Sequence, residues 1–288
     1  MNPESEGRAM AKSFRDRWRL GTQPLGDLVT IIEQLARIDV AVLEAGPDEH
    51  GLTMRDPARG TVFIGVARSR RPMRQRSTLA HELGHVLFED WADGDADGRF
   101  ERAPQESRAD AFARHLLVPV DGLRDFLGPP GTTAQVHLSA VVQRFLVSPA
   151  IAAIALRDAG YVDERTKAEW RSLTTPQLAA SYGWSDLYQA LQTDSDQRRA
   201  PQRLLARAIR GYAEGVLAAQ AIATLRGVPV RVVEADLREA GIVPAEPAIV
   251  WAEHTDLPEA DVDLTSLDRD LGGRFDDIDD AAAHGDAL

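Results

Sequence analysis

The sequence predicts an α+β fold: a small antiparallel sheet set among helices, then a helical module, then an acidic tail. Three observations carry this. Short β-branched runs bounded by Gly and Pro turns are confined to residues 39–66. Elsewhere the apolar residues recur at helical spacing. Acidic charge collects at the end of the chain. Of a formal net charge of −12, the stretch from Glu253 to Leu288 holds twelve acidic residues against two arginines, which leaves about −2 for the rest.

From the start, Ala9 to Leu20 alternates charge with Phe14, Trp18 and Leu20 and reads as an amphipathic helix, broken at Gly21-Thr22-Gln23-Pro24. Leu28, Ile31, Ile32 and Leu35 then recur at helical spacing, giving a second helix over 25–37. Asp39-Val40-Ala41-Val42-Leu43, Leu52-Thr53-Met54-Arg55 and Thr61 to Val66 read as strands around polar turns. The basic stretch Arg68 to Arg76 links this sheet to the next helix, with Ser77 or Thr78 as its expected N-cap.

That helix contains Thr78-Leu79-Ala80-His81-Glu82-Leu83-Gly84-His85-Val86-Leu87-Phe88. A helix turns about 100° per residue, so His81 and His85 project about 40° apart, one turn above the other. Two imidazoles so placed can share one Zn²⁺. Glu82 lies about 100° round from His81, beside the ion, where a general base for water belongs. Leu79, Leu83 and Val86 fall on the opposite side and are expected to be buried.

A third ligand is needed, because there is no Cys and the site must be completed by His, Asp or Glu. Glu106 is chosen: it opens a helix running to about Pro119, where its backbone is fixed. Asp110 shares its face at i+4 and is expected to hydrogen-bond the outer nitrogen of a ligand His, fixing the tautomer. Asp90 and Asp93 are rivals, but a Gly/Asp-rich loop over 90–104 holds a side chain less rigidly. His115, nine residues after Glu106, falls about 180° round that helix and is expected to pack away from the metal.

The paired motifs Arg74-Gln75-Arg76-Ser77-Thr78-Leu79-Ala80-His81-Glu82-Leu83-Gly84-His85 and Glu106-x-x-Ala109-Asp110-x-Phe112-Ala113-x-x-Leu116-Leu117-x-Pro119 resemble those of the ImmA/IrrE metallopeptidases. Phe145-Leu146-Val147-Ser148 and its flanking helices are similar too, and the resemblance spans residues 9–162. It implies a zincin-like fold and a zinc-dependent endopeptidase with His81, His85 and Glu106 as ligands and Glu82 as catalytic base. It also implies a protein substrate, a helix-turn-helix repressor of a mobile element or stress response. Where the family often carries Glu before the Ala of the second motif, this chain has Arg108, read as an exposed variation.

Downstream, residues 138–161 suit two short helices around a tight turn. The second, Ala150-Ile151-Ala152-Ala153-Ile154-Ala155-Leu156, has no base-reading side chain and is expected to pack against the metal domain. Trp170, Trp184 and Tyr188 are expected core anchors. Residues 202–212, 216–225 and 230–240 form a helical bundle, with Ala223, Gly227 and Val233 at positions that favour a helix–turn–helix. Arg231, Glu234, Asp236, Arg238 and Glu239 on its last helix discourage phosphate contact, so direct nucleic-acid binding is not expected. The expected organisation is a zincin-like domain over 1–162, a helical module for partner recognition or sensing over 163–247, and an acidic, disordered tail over 248–288.

No run of about 18 apolar residues suggests a membrane span. Met1-Asn2-Pro3-Glu4-Ser5-Glu6-Gly7 lacks the basic head of a signal peptide. With no Cys, the expected compartment is the cytoplasm. Two imidazoles and a carboxylate also accept Mn²⁺ or Fe²⁺. Besides proteolysis, the same residues fit a non-proteolytic metal-binding regulator that relieves repression by binding a repressor or DNA.

Overall fold

Val40, Val42, Ile64 and Val66 are all buried, and they define the inward face of a three-stranded sheet. The computed structural model describes residues 2–46, 51–91 and 104–245, all within one compact unit. Two helices precede the sheet: α1 (Pro3–Arg17) and α2 (Leu28–Ile31), the latter running into a π-helical turn at Ile32–Ala36. The strands are β1 (Asp39–Leu43), β2 (Gly51–Asp56) and β3 (Thr61–Ala67), in the order β1-β3-β2.

The sheet is mixed, not purely antiparallel. The β2–β3 hairpin is antiparallel as expected, pairing Asp56 with Thr61 and Gly51 with Val66. β1 runs parallel to β3, with Val42 opposite Val66. The end of β1 and the start of β2 thus lie at the same end of the sheet, on either side of β3. Two strand spacings of about 4.8 Å separate them. The seven residues between Leu43 and Gly51 reach that far with ease, and local sequence pattern does not register which neighbour a strand takes. β3 is therefore the central strand and β2 an edge.

Five helices complete this half of the molecule: α3 (Pro72–Phe88), α4 (Pro104–Leu117), α5 (Val120–Leu127), α6 (Gln135–Phe145) and α7 (Pro149–Asp158). α3 starts at Pro72, several residues before the expected caps Ser77 and Thr78, and Arg71 at its N-cap makes no side-chain cap. Proline at N1 sets the helical φ and lacks only an N–H that would be orphaned there, which explains the early start. The second half of the basic stretch, Arg74 to Arg76, is thereby drawn into the helix. Arg76 donates to the carbonyls of Leu25 and Gly26, and burial pulls its pKa down to about 10.

α4 lies between α1 and α3. Phe112 stands edge-on to Phe14 of α1 (6.4 Å) and to Phe88 of α3 (6.5 Å). Such a fully buried side chain contributes about 1.5–3 kcal/mol. Arg15 of α1, buried and likewise lowered to about 10 by desolvation, ties the end of α4 down by donating to the Leu116 carbonyl. Gly84 lets α3 and α4 meet closely: a Cβ there would stand 3.2 Å from the Ala109 Cα and 3.1 Å from the Phe112 ring.

α6 and α7 meet at a 110° bend with Leu146 in the left-handed conformation, as the tight turn required. Ala152, Ala153 and Leu156 of α7 are buried in the main core, consistent with packing rather than base reading. α8 (Glu164–Trp170), α9 (Thr175–Ser181) and α10 (Ser185–Ser195) follow, and Trp170, Trp184 and Tyr188 join that same core. α11 (Gln202–Ala213), α12 (Ala219–Arg226) and α13 (Val230–Glu239) share a second, smaller cluster around Ala208, Ile222, Ala223, Val233 and Leu237. Gly227 turns between α12 and α13 at φ +66°. Among the described residues no single helix is long and apolar enough to cross a membrane. The expected acidic tail lies outside the described residues.

Candidate metal centre

The centre is assembled by two helices and one strand. α3 supplies His81, Glu82 and His85 from one face, while Leu79 and Leu83 on its other face are buried and Val86 is half-buried. α4 supplies Glu106 in its first turn and Asp110 one turn on.

The geometry brings the three expected ligands together. His81 Nε2 and His85 Nε2 are 3.0 Å apart. Glu106 reaches both, with Oε2 at 3.2 Å from His81 Nε2 and Oε1 at 3.3 Å from His85 Nε2. A tetrahedral ion with bonds of about 2.0–2.1 Å needs ligand atoms about 3.3 Å apart, close to what is observed. Glu106, His81 and His85 are also the one cluster of metal-ligating type found among the described residues.

The outer nitrogens decide the fit. His81 Nδ1 is 2.9 Å from Asp110 Oδ1, and His85 Nδ1 is 3.2 Å from Asp90 Oδ2. Carboxylates accept, so in the neutral rings each Nδ1 carries the proton and each Nε2 presents a lone pair. Two lone pairs and a carboxylate thus converge on one point, a donor set that suits a divalent cation. The same charges act on His81: burial lowers its pKa, but Asp110, Glu106 and Glu82 together hold it above the ordinary imidazole value. Asp110→Asn is expected to weaken metal affinity about 10- to 100-fold, read by competition with a chromogenic chelator. Unchanged affinity would show that Asp110 does not support the site.

Asp90, weighed as a rival ligand, instead holds the back of His85, so it cannot sit on the same ion. Asp93 lies outside the described residues. Arg108, expected to be an exposed variation, is half-buried: it forms an ion pair with Asp90, lies 4.7 Å from the Phe88 ring centre and approaches Glu6 of α1 at 3.8 Å. Its position two residues after Glu106 turns it toward the C-terminal end of α3, where Asp90 sits. His115 does face away, with Nε2 2.8 Å from Glu4 Oε1, and burial lowers its pKa. His137 accepts from the Ala134 N–H at the start of its own helix.

Thr53 went unnoticed in the sequence. Its hydroxyl donates to Glu82 Oε2 at 2.7 Å. Beside it, Gly51 makes room for the other oxygen: a Cβ there would stand 2.6 Å from Glu82 Oε1. The imidazoles are largely covered, with side chains 19% and 13% exposed, whereas Glu106 is 47% exposed, so the cluster opens to solvent on the α4 side.

Residues 36–157, from the π-helical turn to α7, match the Peptidase_M78 family, described as the IrrE N-terminal-like domain. Over those residues the chain is similar to the IrrE N-terminal-like domain. The resemblance drawn from the paired motifs thus agrees with the family match, and with it the zincin-like α+β fold of a metallopeptidase family. The matched IrrE-like segment contains every residue of the centre. No curated protein matches the chain.

Proposed function

We propose that the IrrE-like domain is a zinc-dependent endopeptidase that cuts a partner protein, a helix-turn-helix repressor of a mobile element or stress response. The observation that supports this best is the meeting of a three-ligand cluster with a carboxylate held beside it. His81, His85 and Glu106 would hold the ion, and Asp110 and Asp90 fix the two imidazoles with their Nε2 lone pairs inward. A divalent cation at such a site lowers the pKa of water and polarises a carbonyl oxygen.

The chain's own residues do the rest. Glu82, oriented by the Thr53 hydroxyl, accepts a proton from the attacking water and passes it to the leaving amide nitrogen as the C–N bond breaks. β3 is the central strand with both edges occupied, so it offers no place for an extended substrate to pair. Among the described residues β2, beside Glu82, has no strand on its outer edge, and it carries Leu52 and Met54 at 44% and 56% exposure. An extended peptide added there would pair main chain to main chain next to the base.

Incubating the zinc-loaded chain with purified helix-turn-helix repressors is expected to give multiple turnovers and one defined new terminus by mass spectrometry. A partner inhibited stoichiometrically and left intact would favour the non-proteolytic regulator instead.

A further inference from the structure

The outward face of the sheet, remote from α3, carries a second site. Asp39, Ala41 and Leu43 alternate with the inward Val40 and Val42, and Phe63 pairs with Asp39 on the same face. α11 and α12 stand over this face and leave a cavity of 560 Å³ between them and the strands. That is within the roughly 300–1,000 Å³ of ordinary small-molecule sites.

Its chemistry is two-sided. The floor and one wall are apolar: Ala41, Leu43, Phe63 and Leu204 line it. Four arginines line the rest, and they are not equivalent. Arg203 is bound to Asp39 at 2.8 Å, and Arg199 to Asp27 at 2.8 Å. Among the described residues Arg207 makes no side-chain hydrogen bond or ion pair, and Arg198 makes none either but lies close enough to exposed Glu44 to help lower that carboxylate's pKa. One guanidinium with no acidic partner among the described residues, Arg207, and one only loosely paired, Arg198, therefore border an apolar hollow in a chain whose net charge is −12. A guanidinium with no carboxylate hydrogen-bonded to it, beside a concave apolar surface, is an arrangement that can recognise a planar anion.

We propose that this cavity binds a small organic anion, with an apolar body seated on Ala41, Leu43 and Phe63 and a carboxylate, sulfonate or phosphate held by Arg198 and Arg207. The site is distinct from the metal centre: Asp39, Ala41, Leu43 and Phe63 lie on the opposite face of the sheet from Thr53 and Glu82, and no residue of the metal centre lines the cavity. It shares β3 with the hairpin that carries Thr53, so an occupant would touch the strand that pairs with the site's own edge.

Naphthalene-1-sulfonate is a suitable probe, titrated into the full chain by calorimetry. The expected result is saturable binding at one site per chain, with 1-naphthalenemethanol and inorganic sulfate each at least tenfold weaker. Arg198→Ala combined with Arg207→Ala is expected to weaken the sulfonate at least tenfold. Both residues are exposed, so the fold should survive, as circular dichroism will show. Arg231→Ala with Arg238→Ala, equal in charge but exposed on α13, is expected to leave binding unchanged. Absence of saturable binding, equal binding of sulfate alone, or indifference to the Arg198/Arg207 pair would each overturn the proposal.

Discussion

Glu82→Gln is expected to leave the metal in place and lower cleavage by about 10²- to 10⁴-fold, the usual contribution of a positioned acid–base group. Glutamine keeps the shape of the side chain and can still accept the Thr53 hydrogen bond. It cannot take up a proton at neutral pH. The ligand atoms all belong to other residues, His81, His85 and Glu106, so elemental analysis should return the same metal per chain as the parent. Initial rates on a verified substrate supply the other half of the test. Parental turnover by the variant would remove Glu82 from the role of base. The substitution also separates the two functional readings, since a regulator that acts by binding alone would relieve repression equally well with glutamine at this position.

The pairing of His81 with His85 was legible because i and i+4 share a helix face whatever the rest of the fold does. Glu106 was read as the acid that opens the next helix, and Asp110 from the same i+4 rule on that helix, assigned to the outer nitrogen it is found beside. What escaped depended on contacts between elements. In Leu52-Thr53-Met54 the apolar residues suggest an inward face, yet Thr53 points in to Glu82 while Leu52 and Met54 point out. Strand register decides that, and register follows from the pairing of Thr53 with Ile64, not from the composition of β2. The parallel β1–β3 pairing was hidden for a similar reason, since a short link tolerates either neighbour. Arg108 looked exposed because its partner, Asp90, comes from the far end of α3 and no spacing rule connects the two.

The larger loss is expected from Glu106→Ala. Altering a group behind a ligand already costs about 10- to 100-fold in metal affinity, and removing a direct ligand should cost more than about 100-fold. Two imidazoles from a single helix would remain, and no other described carboxylate can take the vacated place without leaving its own task. Asp110 and Asp90 are engaged with the Nδ1 atoms of His81 and His85, on the far side of each ring from the converging Nε2 pair. Thermal denaturation offers a readout apart from activity. An ion that binds only the folded chain stabilises it by about 2.7 kcal/mol when present at 100 times its dissociation constant. The parent should therefore melt higher with Zn²⁺ than with chelator, and the variant should show almost no such difference at the same concentration. Because Glu106 is half exposed and forms no part of the hydrophobic core, the two proteins should melt alike in chelator. A variant that kept the parental zinc-dependent increment would mean that the third ligand is another acid, and the convergence of Glu106 on both imidazoles would lose its functional meaning.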